Sequence, residues 1–178
     1  MKGVLYLDVD GVINPWGAPS TDWSDWERHE VRNRWGRFHL ELSRELCAAL
    51  VATGLEIRWL TTWGRMANEQ VSPLVGWPTD MPVACEVEGC GAGHVAGRGL
   101  HVSDAWFKLE HIAAVATHPS HPPFAWVDDE LSDHHRGNAV MDRLANLQTP
   151  RMMTVAPVTA TGLTRYGVEA IQRFADSL

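Results

Sequence analysis

The feature that most constrains this chain is a short apolar run that ends in two carboxylates. Residues 4–7 (VLYL) are followed by Asp8 and Asp10, and Gly11 supplies a turn signal directly after them. Such a run predicts a strand buried on both faces, as the strands of parallel sheets are. Because side chains alternate along a strand, Asp8 and Asp10 should lie on the same side where the strand ends. Carboxylates about 6–7 Å apart repel each other unless a cation lies between them, and such an oxygen site suits Mg²⁺. An Asp-rich turn without metal is the alternative.

Two later predicted strands also end in polar side chains. They are residues 56–60 (EIRWL), followed by Thr61 and Thr62, and residues 124–127 (FAWV), followed by Asp128 and Asp129. A threonine hydroxyl at a strand end can donate to a phosphate oxygen, although a β-branched strand end without a ligand explains the threonines as well. Adjacent carboxylates after a buried strand are unfavourable without a cation, which makes the acidic pair the second strongest local signal.

Helical patterns alternate with these strands. They predict helices over residues 40–53, 64–75, 105–117, 134–147 and 164–178, with further strands over residues 81–87 and 151–155. Lys108 falls near the start of the third helix, where a lysine is ordinarily solvated. The alternation predicts an α/β fold with a doubly wound parallel sheet, and such sheets bind ligands outside the carboxyl ends of their strands.

One long segment does not fit this alternation. Residues 14–37 are polar and turn-rich, and a short hairpin is predicted within residues 29–39. The segment carries four of the nine tryptophans, namely Trp16, Trp23, Trp26 and Trp35. These rings could stack on a base or sugar, but packing of the segment onto the domain is the simpler explanation.

The order of these signals resembles that of a known family. Asp8-Val9-Asp10-Gly11-Val12 is similar to the first motif of the haloacid dehalogenase-like (HAD) phosphohydrolases, in which the first Asp is the nucleophile and the second the general acid/base. The later motifs of that family are matched in order by Thr61, by Lys108, and by Asp128 with Asp129. The resemblance runs from residue 4 to about residue 133.

The resemblance implies a Mg²⁺-dependent phosphatase that works through an aspartyl-phosphate on Asp8. Asp8, Asp129 and the main-chain carbonyl of Asp10 would hold the Mg²⁺, with Asp128 contacting it indirectly; which of Asp128 and Asp129 is the direct ligand stays open. Asp10 would first give up a proton to the leaving group, which predicts a raised pKa for its carboxyl.

The resemblance also assigns residues to the substrate. Thr61 and Lys108 would hold the phosphoryl oxygens, and Thr62 is the alternative to Thr61. Gly11 and Trp16 are further candidates for substrate binding. The whole chain, residues 1–178, is interpreted as a single domain with a flap inserted at about residues 14–39 and no large cap domain, which predicts an open site.

Within the superfamily, the phrases LDVDGVIN, WLTTWG and WVDDE are similar to small HAD domains of bacterial proteins associated with RNA repair. That resemblance implies a nucleotide or a nucleic acid end as substrate, with a small phosphorylated metabolite left open. The net charge of −7 argues against a broad electrostatic grip on nucleic acid, but it does not exclude a local basic patch.

The apolar pattern of the chain also bears on where the protein is found. No apolar run approaches the ~20 residues that span a bilayer, and the first strand begins too early to leave room for a signal peptide, so a cytoplasmic protein without membrane contact is expected. The activity is less closely defined, because a phosphotransferase, or a non-catalytic phosphate-binding or regulatory module on the same fold, would carry similar motifs. The oligomeric state is not indicated.

Overall fold

The computed structural model describes residues 3–33, 36–85, 104–132 and 151–178. Its strands and α-helices in chain order are β1 (Val4–Leu7), β2 (Trp26–Asn33), β3 (Gly36–Ser43), α1 (Arg44–Ala52), β4 (Glu56–Trp59), α2 (Asp104–Thr117), β5 (Phe124–Val127), β6 (Met152–Val155) and α3 (Arg165–Asp176). The predicted helix over residues 134–147 lies outside the described residues, as do residues 86–103 before α2.

A four-stranded sheet with the order β4-β1-β5-β6 forms the centre of the fold. Each neighbouring pair of strands runs parallel, and Leu7 at the end of β1 lies between Trp59 and Val127 in the register. β1 and β5 are fully buried, as their continuous apolar sequences predict. The parallel α/β sheet is therefore confirmed.

Helices cover both faces of this sheet. Leu5 and Leu7 belong to the core that includes α1 and α3, whereas Val4 and Tyr6 belong to the core that includes α2. Alternate residues of one buried strand thus supply two separate hydrophobic layers. Burial on both faces leaves the ends of the strands as the open edges at which polar side chains can gather.

A long hairpin precedes the first helix. β2 and β3 pair antiparallel over their full length, from Trp26 opposite Ser43 to Asn33 opposite Gly36. The predicted hairpin is confirmed, but the predicted helix start at residue 40 is wrong. Leu40 and Leu42 are buried in alternation, which is the period of a strand, and β3 continues to Ser43.

Helix α1 begins directly after this strand because Ser43 caps it. The Ser43 hydroxyl accepts a hydrogen bond from the Leu46 amide at 3.0 Å, and the backbone of Ser43 is extended. Ser43 is therefore the N-cap residue rather than part of the helix interior. Gly54, with φ of +72°, follows the C-cap Thr53 in the left-handed conformation that glycine commonly adopts after a helix.

Two further expectations need correction. Residues 64–75 form a π-helical turn over Ala67–Val71 and a 3₁₀ turn over Ser72–Val75 instead of a continuous α-helix, because Pro73 interrupts the hydrogen-bond pattern. The predicted strand over residues 81–87 is reduced, in the part that is described, to a single bridge between Val83 and Trp59. Among the described helices, none combines the length and the apolar character that crossing a membrane requires.

Candidate active site

The polar residues predicted at strand ends meet at one edge of the sheet. Asp8 follows β1, Thr61 follows β4, and Asp128 follows β5, and these three strands are neighbours. Backbone hydrogen bonds extend the pairing to this edge, since the Asp8 amide donates to the Val127 carbonyl at 3.1 Å. The geometry thus brings the three predicted motifs together, as the rule for parallel sheets requires.

Three carboxylates form a compact cluster at this edge. One oxygen each from Asp8, Asp128 and Asp129 lies within 4.8 Å of the others. Asp8 and Asp128 are buried, and Asp129 is half-buried. Oδ1 of Asp8 accepts a hydrogen bond from the Val9 amide at 2.8 Å, which fixes the orientation of the carboxylate. The set consists of oxygen donors alone, and hard cations such as Mg²⁺ prefer oxygen.

Lys108 is buried among these carboxylates and is only 2% exposed. Its Nζ lies 2.7 Å from Asp8 Oδ2, 2.9 Å from Asp128 Oδ2 and 3.6 Å from Glu130 Oε2. Burial by itself lowers the pKa of Lys108, but the carboxylates around it outweigh burial and raise that pKa well above its ordinary value. The lysine is a permanent cation inside the cluster, not the solvated side chain that its place on a helix would ordinarily suggest.

Asp128, the first acid of the pair that follows β5, is held by several donors. Asp128 accepts hydrogen bonds from Lys108, from the Trp126 indole at 3.3 Å and from the Glu130 amide at 3.1 Å. Burial raises the pKa of Asp128, and the nearby carboxylates raise it further against the opposing effect of Lys108. The charged form of Asp128 is therefore less favourable in this site than it would be in water.

Asp129 is fixed by a different set of contacts. Its Oδ2 accepts a hydrogen bond from the Thr159 hydroxyl at 2.7 Å. Burial raises the pKa of Asp129 to about 6, with Thr159 acting in the opposite direction. The carboxylate also packs directly on Gly11, where a Cβ would overlap it and where φ is +70°. Gly11 therefore shapes the site through its lack of a side chain.

Asp10 lies apart from the three clustered carboxylates. Its Oδ1 accepts from Asn14 Nδ2 at 2.7 Å and its Oδ2 from the Trp63 indole at 2.8 Å, and the Trp16 side chain lies nearby. Burial raises the pKa of Asp10 even though these donors lower it, and the nearby Asp8 adds to the increase. The raised pKa predicted for Asp10 is confirmed.

Three contacts in the site were not predicted from the sequence. Asn14 joins Asp10 to the hairpin, because its Oδ1 accepts from the Glu41 amide at 2.9 Å. Trp63 and Thr159 hold the two acids described above. Thr159 lies four residues beyond the end of β6, so a hydroxyl in the segment after a strand is only a weak signal for it. Asn14 and Trp63 offer no comparable local pattern.

An open cavity of about 740 Å³ adjoins Asp10. Thr62 and Trp16 line it, and Thr62 is half-buried, whereas Thr61 is fully buried and its hydroxyl accepts from the Trp63 amide at 3.3 Å. The choice between Thr61 and Thr62 as the phosphate contact stays a prediction, as do the roles of Gly11 and Trp16 in substrate binding.

This site has the arrangement of a HAD-like domain. The candidates for nucleophile and acid lie two residues apart after the first strand, and neighbouring elements supply a buried lysine and an acidic pair. The chain belongs to the family described as the HAD domain in Swiss Army Knife RNA repair proteins, whose model matches residues 4–168. No curated protein and no solved structure matches the chain. Membership indicates a phosphohydrolase in general terms, and an acidic cluster suited to that chemistry is present.

Proposed function

We propose that this protein is a Mg²⁺-dependent phosphatase that cleaves a phosphate monoester through an aspartyl-phosphate on Asp8. The observation that carries the proposal is the cluster of Asp8, Asp128 and Asp129 with Lys108 buried among them at the carboxyl edge of the sheet. A buried group of acids with a single lysine is costly to maintain for stability alone. It suits a site that receives a dianionic phosphate together with a divalent cation.

The residues present fit Mg²⁺. The three clustered carboxylates offer oxygen donors close enough to share one ion. Burial, with a smaller contribution from Asp8, raises the pKa of Asp129 to about 6, and a bound cation would favour its charged form. Asp8, Asp129 and the main-chain carbonyl of Asp10 would hold the ion. Of the two acids after β5, Asp128 is fully buried and accepts from the Trp126 indole and the Glu130 amide, whereas Asp129 is half-buried, which supports an indirect role for Asp128. When bound, Mg²⁺ neutralises phosphate charge and orients the phosphoryl group.

Asp8 would act as the nucleophile. A carboxylate oxygen of Asp8 forms a bond to phosphorus while the bond from phosphorus to the leaving oxygen breaks. Val9 and Lys108 hold the two Asp8 oxygens at 2.8 and 2.7 Å, so the attacking group is oriented before the substrate arrives. Because Asp8 is already oriented, less entropy is lost when the reacting atoms are brought together.

Asp10 would act as the general acid and then as the general base. Its raised pKa favours a carboxyl that carries the proton needed by the leaving oxygen. In the second step the resulting carboxylate takes a proton from water, which attacks phosphorus and releases inorganic phosphate and free Asp8. Asp10 accepts hydrogen bonds from both Asn14 and Trp63, and these keep its oxygens at the edge of the cavity.

The substrate class proposed is a nucleotide or a phosphorylated nucleic acid end. The family description, which refers to RNA repair proteins, supports it, and so does the open cavity beside Asp10. Thr61 or Thr62, together with Lys108, would bind the phosphoryl oxygens. Because the net charge is −7, recognition would depend on local contacts rather than on long-range attraction.

The proposal is tested by phosphate release from an aryl phosphate, nucleotides and phosphorylated oligonucleotides, each with Mg²⁺ and with EDTA. Release by the wild-type protein should need Mg²⁺, and Asp8→Asn should reduce it to background. Asp176→Asn serves as the matched control, because that exposed side chain lies at the end of α3 and contacts Gln172. Unfolding curves of both variants establish that they fold.

Three outcomes would contradict parts of the proposal. Release at the same background rate by wild type and Asp8→Asn on every substrate would exclude Asp8 as the nucleophile and favour a phosphate-binding module without turnover. Transfer of the phosphoryl group to an added alcohol in preference to water would favour a phosphotransferase. Phosphate release that is insensitive to EDTA would remove the metal from the proposal.

A further inference from the structure

The cavity beside Asp10 is formed by separate parts of the chain. The loop after β1 contributes Asp10 and Trp16, the hairpin contributes Phe38, and Thr62 and Trp63 come from the loop after β4. Its volume of about 740 Å³ is within the range of pockets that bind small organic ligands, roughly 300–1,000 Å³. The phosphoryl group alone would fill a small part of it.

The position of Asp10 indicates which part of the substrate lies there. A general acid must come within hydrogen-bond distance, about 2.6–3.2 Å, of the oxygen that it protonates. Asp10 lines the cavity, whereas Asp8, the proposed nucleophile, belongs to the buried cluster beside it. The leaving group therefore extends from Asp10 into the cavity, while the phosphoryl group stays at the cluster.

Two aromatic rings face solvent around this cavity. Trp16 is 72% exposed and Phe38 is 38% exposed. The backbone of Trp16 is nevertheless held in place, because its amide donates to the Thr159 carbonyl at 2.9 Å, and its side chain lies close enough to Asp10 to lower the pKa of that carboxyl. A ring with an exposed face is a stacking platform, and stacking suits a flat aromatic partner of any sequence.

Polar groups complete the wall of the cavity. Arg28 and Glu41 lie opposite each other in the hairpin register, and His39 is their neighbour. These side chains offer donors and acceptors beside the aromatic rings. A simple alkyl leaving group would use none of them, whereas a nucleoside has a flat base and a polar sugar.

We propose that this cavity is a leaving-group subsite that binds the terminal nucleoside of the substrate by stacking its base on Trp16, with Phe38 contributing from the hairpin. The inference rests on the proposed phosphatase function and extends it, since it names the residues that select the substrate. The phosphate is cleaved at the cluster of Asp8, Asp128 and Asp129, and the base of the nucleoside that carries this phosphate is recognised in the adjoining cavity.

The test compares matched oligonucleotides that differ only in the terminal base. One ends in a phosphorylated nucleotide and the other in a phosphorylated abasic sugar, with 5′ and 3′ phosphates measured separately and methyl phosphate as a small reference substrate. The wild-type kcat/KM should be about 5- to 150-fold higher for the substrate with a base, given the usual strength of base–aromatic stacking.

Variants separate stacking from other roles of Trp16. Trp16→Ala should bring the ratio of the two kcat/KM values close to one, and Phe38→Ala should lower it. Trp16→Phe keeps a ring but removes the indole N–H near Asp10, so the ratio should persist even where overall turnover falls. Tyr166→Ala is the matched control, because this tyrosine on α3 is 74% exposed and does not line the cavity.

Three results would overturn the inference. A wild-type ratio near one with good turnover of methyl phosphate would reject the subsite and leave the phosphatase function intact. An equal loss on both oligonucleotides in Trp16→Ala, with the ratio unchanged, would show that this ring acts only through Asp10. No turnover of any substrate, methyl phosphate included, would overturn the phosphatase function itself and the subsite with it.

Discussion

Replacing Lys108 by Met should destabilise the protein strongly. Met has a similar length without the charge, so the change leaves Asp8, Asp128 and Glu130 without the cation that lies 2.7, 2.9 and 3.6 Å from them. Removal of one partner from a buried ion pair costs about 3–5 kcal/mol. Because at least two of these carboxylates are buried, we expect a loss within that range in the free energy of unfolding at about pH 8.

The loss should depend on pH in a defined direction. Burial already raises the pKa of Asp128 in the folded state, and Lys108 acts in the opposite direction, so removal of the lysine raises that pKa further and the folded variant binds more protons than the unfolded chain. Stability of the variant therefore falls as the pH rises through that raised value, and Lys108→Met should cost less at about pH 5 than at about pH 8. Urea unfolding, followed by tryptophan fluorescence in the presence of EDTA, measures the loss in free energy of unfolding at each pH.

An exposed ion pair provides the control for this experiment. Arg37 and Glu30 lie 3.3 Å apart with side chains that are mostly exposed, so Arg37→Met should cost less than about 1 kcal/mol at either pH. If Lys108→Met costs no more than Arg37→Met, or costs more at pH 5 than at pH 8, the account of a buried cation that balances several carboxylates is wrong.

Two further predictions concern other positions. Gly11→Ala should destabilise the fold by more than Gly54→Ala does in urea unfolding. Both glycines have positive φ, so both variants carry a backbone strain of about 1–2 kcal/mol. Only at Gly11 would a Cβ also overlap the Asp129 carboxylate, whereas nothing lies within 4 Å of a Cβ at Gly54. His111 should make the protein less stable in acid, because burial lowers its pKa in the folded state and the unfolded chain therefore binds more protons. Stability should then fall as the pH drops below about 6.5. His111→Phe should flatten this dependence of stability on pH, measured by thermal unfolding between pH 7 and pH 5.

These two predictions have clear contrary results. Equal losses at the two glycines would mean that the contact between residue 11 and Asp129 is unimportant for stability. An unchanged or steeper acid slope in His111→Phe would mean that His111 does not carry the linked proton.

The edge of the sheet that carries the site was predictable from the sequence. Continuous apolar runs identify buried parallel strands, and the topology of such sheets then places Asp8, Thr61 and Asp128 at one edge without any information on contacts. The sequence could not show how deeply Lys108 is buried, because a helix start gives no indication of which neighbour will cover it.

The hairpin and the helix after it illustrate a limit of local patterns. Leu42, Leu46 and Leu50 match a helical period, and Leu40 and Leu42 match a strand period, so the boundary was ambiguous until the pairing of β2 and β3 decided it. Asn14 and Trp63 were missed for a related reason. Their role depends on hydrogen bonds to Asp10, and for Trp63 the partner is 53 residues away.

Asn14 has a consequence for how the hairpin and the acid behave together. One amide side chain donates to Asp10 at 2.7 Å and accepts from the Glu41 backbone at 2.9 Å, so it joins the proposed general acid to the hairpin. A movement of the hairpin away from the sheet would stretch one of these two hydrogen bonds. We therefore expect a substitution in the hairpin near Glu41 to change the orientation of the Asp10 carboxyl.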